Sequence, residues 1–283
     1  MIVWGGYDFN VEVNFNTGGR LCGQSGPTTL GNISTRLRVE TGDRVGIGGF
    51  IVTGTQAKRV MVRAIGPSLP LPGALSDPIL ELRNSSGALI RSNDNWRSDQ
   101  ESDIVATGIP PANDLESAIV ETLPANGSAY SAVVRGVGNG TGIGLVEVYD
   151  LDRTVDSKLA NISTRGVVGT GDNVMIGGTI VQGAFSSSVI LRGIGPSLAN
   201  AGVQDPLADP TLELRDGNGA LLVANDNWQD DSVSAAQLIA YGLAPQPLES
   251  GIFLSLAPGP YTAILAGKNN GTGVGLVEAY QVE

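Results

Sequence analysis

Leu30-Gly-Asn-Ile-Ser-Thr-Arg36 recurs as Leu159-Ala-Asn-Ile-Ser-Thr-Arg165, and Ile65-Gly-Pro-Ser-Leu69 as Ile194-Gly-Pro-Ser-Leu198, each 129 residues further along the chain. Asp77-Pro-Ile-Leu-Glu-Leu-Arg83 returns as Asp209-Pro-Thr-Leu-Glu-Leu-Arg215 at an offset of 132, and Asn93-Asp-Asn-Trp96 as Asn225-Asp-Asn-Trp228. The copies close on Gly140-Thr-Gly-Ile-Gly-Leu-Val-Glu147 and Gly271-Thr-Gly-Val-Gly-Leu-Val-Glu278. A period this long is not that of a solenoid or propeller unit, whose repeats run roughly 20–50 residues. It is the length of a domain. The change of offset places a three-residue insertion between Leu198 and Asp209. The expected organisation is an N-terminal strand and linker over residues 1–29, a first repeat over 30–155 and a second over 156–283.

Forty glycines and only 16% charged residues suit many short strands joined by tight turns. In the first repeat the strand pattern falls over residues 32–40, 45–54, 58–65, 78–84, 88–93, 118–123, 129–136 and 142–150. In the second it falls over 161–168, 174–182, 187–193, 210–215, 219–224, 251–256, 261–266 and 273–281. A single helical turn fits near 101–107 and again near 233–240. With no helix-length periodic segment between strands, the expected class is all-β, as two tandem antiparallel β-sandwich domains of jelly-roll type. Ahead of them Tyr7, Phe9, Val11, Val13 and Phe15 alternate without a break with Asp8, Asn10, Glu12, Asn14 and Asn16. That is a strand with one apolar face, belonging to neither repeat.

Composition removes several kinds of chemistry. The chain has no histidine, which excludes Ser-His-Asp and Cys-His nucleophiles and any imidazole metal ligand. Cys22 is its only cysteine, and Lys58, Lys158 and Lys268 its only lysines. No spacing singles out a carboxylate pair for glycoside hydrolysis, and the expected protein is not an enzyme. A net charge of −11 with no basic stripe argues against a nucleic-acid partner. No run approaches the 18 apolar residues of a transmembrane helix. The glycines of Gly136-Val-Gly-Asn-Gly-Thr-Gly-Ile-Gly144 precede a strand, not the helix a dinucleotide site requires.

Two constellations remain. Asn93, Asp94, Asn95 and Asp99, and their counterparts Asn225, Asp226, Asn227 and Asp230, cluster oxygen atoms in turns. Such a cluster either binds calcium or caps its own turn; calcium is the one cofactor the sequence suggests. Arg63 and Arg192 sit within apolar strands, as do Glu147 and Glu278. A mid-strand charge must point outward or be paired, and structural ion pairs Arg63–Glu147 and Arg192–Glu278 are expected.

Asp77-Pro through Leu-Glu-Leu-Arg, Gly87-Ala-Leu, Asn93-Asp-Asn-Trp96 and Leu123-Pro-Ala-Asn-Gly-Ser-Ala-Tyr130 resemble the bacterial pre-peptidase C-terminal type of β-sandwich. Leu256-Ala-Pro-Gly-Pro-Tyr-Thr262 resembles that family's hairpin still more. The whole unit is similar to tandem repeats of large exported bacterial proteins. The resemblance implies a non-catalytic secreted module, in some members calcium-binding, and an extracellular setting. Met1-Ile-Val-Trp-Gly-Gly-Tyr7 and Asn16-Thr-Gly-Gly-Arg20 resemble part of a kelch propeller blade, with no second blade to complete it. The function expected is that of an extracellular or cell-surface structural or adhesive protein. It would associate with itself into filaments by adding the N-terminal strand to a sheet edge. The alternative is a carbohydrate- or surface-polymer-binding accessory module of a larger secreted protein.

Overall fold

The computed structural model describes residues 29–282. The strand expected over residues 7–16 lies outside them. Repeat 1 contains β1 (Thr29–Val39), β2 (Gly46–Gly54), β3 (Lys58–Ile65), β4 (Pro78–Arg83) and β5 (Leu89–Asn93), then α1 (Glu101–Ala106), β6 (Ser117–Leu123), β7 (Ala129–Gly136) and β8 (Gly142–Asp150). Repeat 2 contains β9 (Ser157–Val168), β10 (Met175–Gln182), β11 (Ser187–Ile194), β12 (Pro210–Asp216) and β13 (Leu221–Asn225), then α2 (Ser232–Ala240), β14 (Ser250–Leu256), β15 (Gly259–Gly267) and β16 (Gly273–Val282). The protein is all-β, and every pairing between these strands is antiparallel. The insertion between Leu198 and Asp209 accompanies a 3-10 segment, Pro196–Ala201.

The alternation of side chains along a strand determines what each strand buries. In β4, Leu80 and Leu82 point inward while Ile79, Glu81 and Arg83 are half-buried, and β12 repeats this with Leu212 and Leu214. β3 is buried on both faces apart from Arg59. Its inner face carries Val60, Val62 and Ala64 into the main core. On its outer face Met61 packs with Ala118 and Val120 of β6 and is covered by Trp96 and Ile104, brought over the sheet by the segment that carries α1. That second cover is why Val60-Met-Val-Arg-Ala-Ile65 reads as a continuous apolar run. In repeat 2, Ile190 meets Trp228 and Leu238 of the α2 segment in the same way.

Both sheets run through the boundary between the repeats. One is ordered β6-β3-β8-β1-β10-β15-β12-β13 and the other β14-β11-β16-β9-β2-β7-β4-β5, so each takes four strands from each repeat. The joints are reciprocal. β1 pairs with β8 of its own repeat on one side and with β10 on the other; β9 pairs with β16 and with β2. The two are joined into one 16-stranded sheet by the single ladder pair Arg38↔Val167. Beside it the Thr164 hydroxyl donates to that of Thr35 at 2.8 Å, both residues buried. These residues are equivalent, so the contact marks a local two-fold relation between the copies. One apolar cluster, including Leu37, Val39, Ile162, Val168 and Val181, spans both repeats.

Candidate functional site

The mid-strand charges meet under the α1 and α2 covers. Arg63 on β3 and Glu147 on β8 are in register, and Arg63 Nε donates to Glu147 Oε2 at 2.9 Å. Arg63 Nη1 donates to the Ile109 carbonyl at 2.7 Å and Nη2 to the Tyr149 hydroxyl at 3.0 Å. Glu147 Oε1 accepts from Tyr149 at 2.7 Å and from Ser34 at 3.1 Å. Burial alone would lower the affinity of Arg63 for its proton, but the Glu147 charge and Tyr149 outweigh it and hold the guanidinium charged. Burial, then the Glu147 charge, pushes Tyr149 well above the usual phenol range. In repeat 2, Arg192 Nε donates to Glu278 Oε2 at 2.9 Å, Nη1 to the Leu243 carbonyl at 2.9 Å and Nη2 to Tyr280 at 3.0 Å. Each arginine thus pins the covering segment to the sheet.

Two buried acids were not singled out by the sequence reading. Glu116 Oε1 accepts from the backbone N–H of Gly66 at 3.1 Å and of Ser68 at 3.0 Å, and from the Ser68 hydroxyl at 2.6 Å. Glu249 Oε1 accepts from the backbone N–H of Gly195 at 3.0 Å and of Ser197 at 2.7 Å, and its Oε2 from the Ser197 hydroxyl at 2.7 Å. These carboxylates are what the repeated Ile-Gly-Pro-Ser-Leu turns wrap around. The available signal was Leu115-Glu-Ser117 returning as Leu248-Glu-Ser250.

The Asn-Asp-Asn-Trp turns divide into separate tasks. Asn93 Oδ1 accepts from Ala118 N at 3.0 Å while its Nδ2 donates to the Asn95 carbonyl at 3.1 Å. Asn225 likewise joins Gly251 N, at 2.8 Å, to the Asn227 carbonyl, at 2.9 Å. Asp99 pairs with Arg91 at 2.9 Å, and Asp230 Oδ2 accepts from Asn227 Nδ2 at 3.4 Å. Asp226 pairs with Lys268 at 2.6 Å, whereas the Asp94 side chain is exposed. Asn93 and Asp99 in one turn, and Asn225 and Asp226 in the other, are thus engaged with partners outside their turns. Among the described residues, no group of three or more His, Cys, Asp or Glu side chains is placed to hold a metal ion.

The sheet edges differ in how they end. Along the outer edge of β6, Val120 N donates to Gln100 Oε1 at 3.2 Å and Gln100 Nε2 donates to Val120 O at 2.8 Å, next to the Asn93–Ala118 bond. On β14 the Asn225–Gly251 bond is followed by Phe253 N donating to Ser234 Oγ at 3.0 Å. Side chains thus stand in for a neighbouring strand at both edges. Among the described residues β5 and β13, at the other two edges, pair on one side only, with β4 and β12. They expose Leu89 and Ile90, and Leu221 and Leu222. An open groove of about 560 Å³ lies beside β12 and β13, lined by residues including Glu213, Asp226, Asp230 and Asp231, with no aromatic ring in its wall.

No family model and no curated protein matches the chain. Among solved structures it is similar to one of Sulfolobus Turreted Icosahedral Virus, at 12% identity over 90% of this chain and 89% of that one, with a TM-score of 0.23. It is also similar to the tandem CBM51 modules of a family 98 glycoside hydrolase from Streptococcus pneumoniae, at 8% identity over 88% and 81% of the two chains, with a TM-score of 0.25. A third likeness, to PNGF-II, has 11% identity over 91% of this chain and 58% of that one, with a TM-score of 0.23. Superpositions this poor carry no argument about function. No helix among the described residues is long and apolar enough to cross a membrane.

Proposed function

We propose that this chain is a non-enzymatic structural or adhesive protein of the extracellular surface, which assembles into filaments when residues 7–16 of one copy pair with an open sheet edge of the next. The observation that carries this reading is how the repeats are joined: both contacts are sheet extensions, β1 onto β10 and β9 onto β2. An exposed edge accepts a further strand by the same backbone bonding. The alternation over residues 7–16 predicts a strand with five large apolar side chains on one face, each worth roughly 1.5–3 kcal/mol when buried. A head-to-tail contact that does not close on itself propagates as a filament. The extracellular setting is supported by the resemblance of the repeat to secreted modules. Electron microscopy of the purified chain tests the reading: filaments are expected, and deletion of residues 1–20 should leave a folded protein that no longer assembles. A full chain that stays monomeric at high concentration, or a truncated chain that unfolds, would overturn it.

A further inference from the structure

The two open edges occupy equivalent places in the repeats but are built differently. Arg91 on β5 stands opposite Leu82 of β4, and Val223 on β13 stands opposite Leu214 of β12, so the two positions correspond. Leu82 and Leu214 belong to the main core, and residues opposite each other on paired strands share one face of the sheet. Arg91 and Val223 are therefore the inward-facing residues of their edges. β6 lies against β5, and β14 against β13, without pairing. Glu121 of β6 stands opposite Val60, and Leu254 of β14 opposite Val189, which makes these two positions equivalent as well.

At β5 the inward position is charged and held. Arg91 Nε donates to Glu121 Oε2 at 3.2 Å and Nη1 to Asp99 Oδ2 at 2.9 Å, which ties β5 to β6. An inward-pointing charge is one of the devices that keep an edge from accepting a further strand. At β13 both members are apolar. Val223 and Leu254 are partly buried and pack on the main core, while Leu221 and Leu222 beside them are 51% and 46% exposed. A strand with an apolar inner face would extend the core at β13. At β5 the same strand would strip water from Arg91 and Glu121, which is costly.

We infer, resting on the assembly proposed above, that β13 and not β5 receives residues 7–16 of the next copy, with Tyr7, Phe9, Val11, Val13 and Phe15 laid over Val223 and Leu254. The donor segment suits this end. Its apolar residues alternate strictly with polar ones, the pattern of an edge strand with one side on a core and the other in water. Residues 17–28 separate it from β1 and span at most about 40 Å when extended, enough to reach a neighbouring molecule.

Hydrogen–deuterium exchange of the full chain, read before and after assembly, tests the choice of edge. The amides of residues 221–225 are expected to become protected in the filament, while those of 89–93 exchange as before. A second arm uses variants. Val223→Arg combined with Leu254→Glu rebuilds at β13 the charges of β5 and should abolish filaments in a chain that keeps the wild-type circular dichroism, whereas Ser92→Arg on β5 should leave assembly unchanged. Should the double variant fail to fold, the exchange data on the wild type decide by themselves. Filaments protected at 89–93 or at neither edge, or filaments that survive the double substitution, overturn the choice of β13 and leave the assembly itself standing. A wild-type chain that stays monomeric removes the assembly and this acceptor with it.

Discussion

Arg63 shows what a single residue does in this fold. Its guanidinium joins β3 to β8 through Glu147 and ties the covering segment down through the Ile109 carbonyl. Arg63→Ala would leave Glu147 buried with only the Ser34 and Tyr149 hydroxyls as donors. Removing one partner of such a pair commonly costs about 3–5 kcal/mol, because the remaining charge stays in a poorly solvating place. Denaturant unfolding should show a loss of that order. Arg192→Ala should cost less, since the side chains of its pair are more exposed, 17% and 11% against 9% and 6%. A loss of only a few tenths of a kcal/mol for Arg63→Ala would mean that water already screens the pair. These arginines were legible in the sequence because a charge within an apolar strand demands a partner. Glu116 and Glu249 were not, because an acid in a loop reads as solvated until the chain folds a turn around it.

At the level of elements, strands whose partners lie within their own repeat were legible from alternation and turn glycines. The exceptions are informative. β1 and β9 each begin three or four residues before the pattern predicts, at Thr29 and Ser157. Those extra residues pair across the boundary: Leu30 with Val181, Lys158 with Thr53, and Leu159 with Val52. Nothing in the local sequence of Thr29–Gly31 requires a strand; the edge of β10 in the other repeat imposes it. The same joint offers a test. Thr35→Val or Thr164→Val alone leaves a buried hydroxyl without its partner, which costs about 1–3 kcal/mol, whereas replacing both removes the polar group altogether. The double variant should therefore be more stable than the sum of the singles allows, by about 0.5–3 kcal/mol in denaturant unfolding. Strictly additive losses would mean that the hydroxyls do not meet at the joint.

At the level of the whole molecule, two copies of a domain-sized sequence share both of their sheets and one apolar core cluster. Neither copy keeps all its strand neighbours if the other unfolds, since β1 and β2 would lose β10 and β9 as partners. Edges β6 and β14 are closed by side chains from the covering segments, leaving β5 and β13 as the open edges among the described residues. That the repeats act as one folding unit is tested most directly by differential scanning calorimetry of the full chain under reversible conditions. A single endotherm is expected, with calorimetric and van't Hoff enthalpies in a ratio near one. Two resolved transitions, or a calorimetric enthalpy about twice the van't Hoff value, would show that each repeat folds by itself and that the shared ladders do not couple them.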